Sequence, residues 1–263
     1  MTRPEPAANT GELRRLADSL RRASAATRDT VVVDGFALYL SPDGAHPFMS
    51  LAIPEDAERG DWRSALAALP AAFAARGRSP RIEVFAELHP ALLRAADAAG
   101  WRRAMTAPVL TLAREALAPV PPAVGEFRWL APDESGRLET VLRGAHVAYG
   151  GDDADPDALD WGPQLVRGLR QGTLLAGAVD VDGVARAGAV VQLGGGTGEL
   201  AGVWTHPAFR RRGLARQACH ALLAGAFARE VASAWLSAAE GALGLYEGLG
   251  FVRVGTQVNL EPP

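Results

Sequence analysis

Between Glu199 and Ala215 the chain changes from residues that suit a strand to residues that suit a helix, and the join concentrates groups able to hold an anion. It reads Glu199-Leu200-Ala201-Gly202-Val203-Trp204-Thr205-His206-Pro207, then Ala208-Phe209-Arg210-Arg211-Arg212-Gly213-Leu214-Ala215. The first turn of a helix presents backbone N–H groups without intrahelical acceptors, together with the positive end of the helix dipole. Gly213 has no Cβ and Ala215 only a methyl, so the backbone can approach a ligand closely. Flanking arginines add charge-assisted hydrogen bonds. The pattern predicts a diphosphate cradle without the Lys-Ser/Thr pair that an ATP loop uses for γ-phosphate and magnesium. The arginines carry less weight than usual, because all 27 basic residues are arginine. Taken alone, Arg210, Arg211 and Arg212 read equally well as a solvated basic turn.

A second segment narrows the choice. Leu245-Tyr246-Glu247-Gly248-Leu249-Gly250-Phe251 follows the cradle at the spacing of one helix, one strand and a short helix. Arg210-x-x-Gly213-x-Ala215 after a strand, followed by this LYxxLGF segment, resembles the GNAT N-acetyltransferase superfamily over residues 126–260. The resemblance implies an acyl-CoA N-acyltransferase fold, an α/β (α+β) architecture on a mixed sheet, and acetyl-CoA as co-substrate with no metal. It implies that the backbone of Val203, Trp204 and Thr205 pairs with the pantetheine arm. The segment from Arg210 through Arg211, Arg212, Gly213, Leu214, Ala215 and Arg216 would then hold the pyrophosphate. Tyr246 falls at the position of the general acid that reprotonates the leaving thiolate, and Glu199 where several members carry the base. An amine is protonated at neutral pH and must lose a proton before attacking a thioester, so the chemistry needs such a base. Many members have Asn where this chain has Ala239, which leaves a contact to the cofactor arm in doubt.

Each assignment has a plainer rival. Tyr246 also reads as a core aromatic packing with Leu245 and Phe251, and Glu199 as a strand-edge charge. His206 suits the turn with Pro207; His220 lies on a helix; His46, His89 and His146 show no metal spacing. The glycines at 194–198 read as a tight hairpin. Asp152, Asp153, Asp155 and Asp157 form an acidic loop, either a solvated connection or an attractor for a cationic amine. A non-catalytic acyl-CoA sensor or scaffold is the alternative function. A P-loop or Rossmann enzyme is disfavoured, because no GxGxxG or GK[ST] follows a strand.

The elements around these residues fall in two halves. A helix over 12–23 precedes two strands expected at 30–44 and 47–54, joined by a turn with Pro42, Asp43 and Gly44. Then come a helix over 61–77 kinked or split by Pro70, a strand at 81–88, a helix at 89–100 and a long strand or strand pair over 101–113. The Pro-rich stretch 118–125 reads as a linker, dividing a degenerate GNAT-like domain (1–117) from a catalytic GNAT domain (126–263). The second half predicts strand, two helices, strands 173–181 and 185–193 about the Asp182-Gly183 turn, a strand into the cradle, a helix from Gly213 to Glu230, and strand–helix–strand to the end. A shift of 150 positions lays Gly100-Trp101 on Gly250-Phe251 and Leu93 on Leu243, which suggests a duplicated domain, two tandem GNAT-like copies. In the first copy Ala96 replaces Tyr246, and Pro54-Glu55-Asp56-Ala57-Glu58-Arg59-Gly60 replaces the cradle. Its carboxylates would repel a diphosphate, so this half is expected to be catalytically silent. Trp62, Phe73, Val84, Phe85, Leu88, Leu92, Leu93 and Trp101 supply it with a core.

Composition bounds the rest. At 48% hydrophobic and 22% charged, the 263 residues suit one or two globular domains. A net charge of −3 argues against a nucleic-acid or anionic-membrane binder. The single cysteine, Cys219, excludes an intramolecular disulfide framework. No apolar run reaches membrane-spanning length, and the first residues lack a secretory apolar core, so a cytoplasmic location is expected. The expected partners are a small-molecule amine or a protein amino group, in a monomer holding an internal pseudo-dimer or in a homodimer.

Overall fold

The computed structural model describes residues 9–42, 50–55, 59 and 61–263. The first half contains α1 (Thr10–Thr27), β1 (Asp29–Val33), β2 (Phe36–Leu40), β3 (Leu51–Pro54), α2 (Arg63–Ala74), β4 (Ile82–Phe85), α3 (Pro90–Ala98) and β5 (Arg102–Ala113). The second contains β6 (Glu126–Trp129), α4 (Ser135–Ala148), α5 (Gly162–Gln171), β7 (Leu174–Val181), β8 (Val184–Gly194), β9 (Thr197–Thr205), α6 (Leu214–Phe227), β10 (Ser233–Ser237), α7 (Leu243–Glu247) and β11 (Val252–Glu261). No described helix is long and apolar enough to cross a membrane.

Two compact units emerge, and they follow packing rather than chain order. One holds the described residues up to Leu110 with 237–241 and 253–263; the other holds 111–236 and 242–252. In the first unit α1 opens on Asn9, whose side chain accepts from the Glu12 amide at 3.1 Å. Its helical stripe of Leu13, Leu16, Ala17 and Leu20 is buried. The reading of one strand across 30–44 gives way to a hairpin. Asp34 and Gly35 take left-handed angles (φ 45° and 83°), so β1 turns back onto β2 through a two-residue loop. Asp43 and Gly44 of the expected turn lie outside the described residues. Helix α2 is not split at Pro70. Strand β3 runs antiparallel to β2 and parallel to β4, and β11, from the far end of the chain, lies antiparallel to β4 with Leu260 opposite Ile82. The aromatic and aliphatic residues expected in this core, Trp62 and Phe73 to Trp101, are all buried. Burying each large side chain contributes roughly 1.5–3 kcal/mol.

In the second unit β6, β7, β8 and β9 form an antiparallel run, and β10 joins β9 in parallel. Alternate residues of β7 serve opposite faces, as a pleated strand requires. Ala176 and Ala178 pack with Leu138, Val141, Leu165 and Trp204 under α4 and α5, while Val179 packs with Leu214 and Ala218 of α6. The Asp182-Gly183 turn and the Gly195-Gly196 turn both form with left-handed residues, as their sequences predict. Residues 118–125, read as a linker, are tied to α6. His220 Nε2 lies 3.0 Å from the Ala118 carbonyl, and the Gln217 side chain bonds Val124 N–H and the Gly125 carbonyl.

Element by element, the halves repeat. A β-hairpin on an Asp-Gly turn leads to a strand, a helix and a parallel strand, then a short helix and a long strand. Thus β1–β5 with α2 and α3 correspond to β7–β11 with α6 and α7. The architecture is an α/β mixed sheet in tandem GNAT-like copies.

Candidate active site

The site begins where two strands part. Strand β10 pairs with β9 only at Thr197, Gly198 and Glu199, the last opposite Trp235. Beyond Glu199, β9 continues to Thr205 on β8 alone. Backbone groups on an edge left by a departing strand are open to an extended ligand, which can add to the sheet as a strand would. Glu199 is half-buried at this fork. A bulge follows: Gly188 faces Trp204 and Val190 faces Ala201, so Gly202 and Val203 together oppose Ala189. Gly202 sits at φ 57°, where a side chain would be strained, and the bulge turns the local amides off the ladder. Trp204 offers only backbone here, because its side chain is buried under α4.

Tyr149, at the end of α4, donates its hydroxyl to the Val203 carbonyl at 3.0 Å. Nothing in its spacing marked it beforehand. The residue as a whole is 66% exposed, yet its hydroxyl end is packed on the strand, and burial pushes its pKa up to about 12. Tyr246 projects from α7 and is 7% exposed, its ring edge-on to Phe251 at 6.0 Å. Its main-chain carbonyl accepts from the Leu249 and Phe251 amides, so the LYEGLGF segment closes on itself. Burial raises the Tyr246 phenol above its ordinary pKa, with smaller contributions from Cys219 and Tyr149. Cys219 is fully buried, and burial likewise pushes its thiol up to about 12, so it is an inert packing residue.

The turn from β9 to α6 is tight. His206 Nδ1 accepts from the Ala208 amide at 3.3 Å, and Arg211 and Gly213 take left-handed angles (φ 60° and 86°). A Cβ built on Gly213 would meet only Val124 methyl carbons at 3.7–3.8 Å, so backbone conformation rather than space calls for glycine. No side chain caps α6 and no acidic residue stands in its first turn. The leading amides therefore face outward beside the arginines. Arg210 is used as a tie, donating to the carbonyls of Ala148 (2.8 Å) and Thr205 (3.4 Å). Arg216 donates to the Gly248 carbonyl at 3.0 Å, and Arg212 lies 4.9 Å over the Phe209 ring. Among the described residues, none of Arg210, Arg211, Arg212 and Arg216 is paired with a carboxylate.

The acidic loop is tied chiefly to α4. Asp155 meets His146 Nε2 at 3.0 Å, which holds its carboxyl below the usual range, and Asp152 accepts from the Ala154 amide. Arg143 donates to the Asp153 carbonyl at 2.6 Å. Among the described residues no cluster of three His, Cys, Asp or Glu side chains could hold a metal.

Residues 140–251 match the acetyltransferase (GNAT) family. No curated protein matched the sequence. A GCN5-related N-acetyltransferase from Kribbella flavida is 26% identical over 95% of both chains, with a TM-score of 0.73. An acetyltransferase of the GNAT family from Novosphingobium aromaticivorans is 21% identical over 94% of this chain and 96% of its own (TM-score 0.58). A tandem GNAT protein from the clavulanic acid biosynthesis pathway is 16% identical over 97% and 96% (TM-score 0.59). Residues 140–251 thus match the GNAT acetyltransferase family model, and the chain carries the GNAT fold in tandem copies.

Proposed function

We propose that this protein is an acetyl-CoA-dependent N-acetyltransferase that moves an acetyl group to a primary amine by direct attack in a ternary complex. The observation that carries the reading is one continuous path. The open stretch of β9, bulged at Gly202, leads into the uncapped N-terminus of α6, beside arginines that have no carboxylate partner among the described residues. An extended arm ending in a diphosphate matches that path: Val203, Trp204 and Thr205 would hold the arm, and the amides from Arg211 to Arg216 the phosphates. The family of residues 140–251 and the likeness to an N-acetyltransferase over nearly the whole chain support the same reaction.

Acetyl-CoA, when bound, supplies the thioester. Glu199, at the fork, accepts a proton from the substrate ammonium, leaving a neutral amine nitrogen free to attack the carbonyl carbon. Backbone N–H groups turned off the ladder at the bulge stabilise negative charge developing on the carbonyl oxygen. As the new C–N bond forms and the C–S bond breaks, Tyr246 gives its phenolic proton to the departing sulfur. The second proton of the nitrogen restores the phenol through solvent. A phenol whose pKa is raised is fully protonated at neutral pH, the state a donor needs.

An amine panel scored by free-thiol release from acetyl-CoA tests the proposal. Turnover on at least one amine is expected. Tight acetyl-CoA binding with no thiol release on any amine would instead favour a non-catalytic acyl-CoA binder.

A further inference from the structure

Beside the α6 N-terminus a second basic feature joins the Arg212 side chain to Arg186 and Phe209. Arg186 of β8 lies with its guanidinium 4.7 Å from the centre of the Phe209 ring, and Arg212 lies 4.9 Å from the same ring. Two like charges are thus fixed no more than about 10 Å apart, and among the described residues neither is paired with a carboxylate. The Arg186 Nε is buried without a hydrogen-bond partner. The ring that both arginines stack on is a fixed post. It meets His206 edge-on at 5.7 Å and packs against the cluster of Val179, Ala187, Leu214 and Ala218. Arg186 is equally fixed at its base, its carbonyl accepting the His206 amide at 2.8 Å. Stacking on an aromatic face orders guanidinium groups before a ligand arrives, so less freedom is lost on binding.

We propose that Arg186, Phe209 and Arg212 form a phosphate-monoester site that reads the 3′-phosphate of the coenzyme A nucleotide. The inference rests on the acyl-CoA reading above and adds a specificity to it. Helix amides suit the bridging diphosphate, whose oxygens lie along a chain. A terminal monoester carries about −1.5 to −2 charge on three free oxygens and suits two guanidinium forks. Coenzyme A presents both groups in one molecule. The pair therefore favours coenzyme A thioesters over thioesters of 3′-dephospho-coenzyme A.

Calorimetry of the full chain with acetyl-CoA and with acetyl-3′-dephospho-CoA tests this. The unaltered protein should prefer acetyl-CoA by roughly ten- to a hundredfold, the range expected when charge-assisted hydrogen bonds are lost. Arg186→Gln should cut that preference severalfold while leaving the Kd of the dephospho compound unchanged, and Arg186→Lys should keep part of it. Equal affinity for the two compounds in the unaltered protein would overturn the site, as would Arg186→Gln weakening both alike. Inorganic phosphate supplies the remaining arm. If 10 mM phosphate, a concentration on the order of the weak affinities of small anions, stabilises the unaltered protein but not Arg186→Gln, and the two thioesters bind alike, the occupant is free phosphate and the nucleotide assignment fails. Absence of binding by either thioester would instead remove the acyl-CoA reading on which the proposal stands.

Discussion

Helices α2 and α6 occupy the same place in the two halves, each leading to a strand parallel to the one before it, yet they begin differently. At α2, Asp61 Oδ1 accepts from the Arg63 amide at 2.9 Å, and Trp62 is buried beneath Arg59, which is itself paired with Asp34 at 2.6 Å. At α6 there is a left-handed glycine, no side-chain cap and arginines without carboxylate partners among the described residues. Of the three carboxylates expected near this helix end, Glu55 is described, while Asp56 and Glu58 lie outside the described residues. The position that holds Tyr246 in one half holds the fully buried Ala96 in the other. Folding favours a helix end whose donors are satisfied; binding requires donors kept open. One half bonds an amide at its helix end with its own carboxylate, and the other has no such bond at its helix end.

The largest effect should come from removing the group that only one half has. Tyr246→Phe should lower kcat by roughly 10²–10⁴, the span of general-acid catalysis, with acetyl-CoA affinity nearly unchanged. Because the phenol pKa is raised, its acid form persists as pH rises past 10. The pH–rate profile of the unaltered enzyme should therefore show no alkaline loss from this group between pH 8 and 10, values chosen around the ordinary phenol pKa of about 10. A falling limb in that window, absent from Tyr246→Phe, would contradict the raised pKa.

Next in size is the cradle. Ala215→Glu puts a carboxylate in the first turn of α6, where the dipole tolerates it but a diphosphate does not. Acetyl-CoA affinity should fall at least tenfold, about 1.4 kcal/mol, while thermal stability holds or rises. Unchanged affinity by calorimetry would mean the phosphates lie elsewhere. A smaller change is expected at Tyr149. Its hydroxyl occupies a carbonyl that the pantetheine arm would use, so Tyr149→Phe should lower the KM for acetyl-CoA by roughly two- to fivefold, about one hydrogen bond. A raised KM would show that the hydroxyl braces the strand instead.

What could be read beforehand was local. The Asp182-Gly183 and Gly195-Gly196 turns, the β9-to-α6 join and the closing LYEGLGF segment depend on neighbours in sequence, and they formed where expected. The Asp34-Gly35 turn was equally local but was lost in a continuous apolar run, TVVVDGFALYL, and its match to Asp182-Gly183 would have strengthened the repeat. Features built from distant residues left no such trace. Tyr149 reaches Val203 across 54 positions, Arg210 reaches Ala148 across 62, and β11 packs with β4 in the first unit. Spacing in sequence does not encode such contacts, and in an arginine-only chain no single arginine stands out. Whether Arg210 faces phosphate or carbonyl is decided by the fold.

The smallest effect is the sharpest test of the contrast between the two helix ends. Asp61→Ala removes the side chain that accepts from the Arg63 amide and leaves α2 as open as α6. If α2 is only a structural counterpart, the change should cost about 1 kcal/mol of stability, the usual net worth of one hydrogen bond, read as a drop in Tm. It should leave acetyl-CoA affinity and stoichiometry untouched, because opening one donor does not recreate the rest of a cradle. The arginine nearest that end, Arg59, is held by Asp34 and stacked over Trp62, and Ala96 still supplies no phenol. Titration of the variant should therefore find one acetyl-CoA per chain. A second equivalent bound by Asp61→Ala would show that this one bond keeps a ligand from the first half, and that its loss of chemistry is shallower than its residues imply.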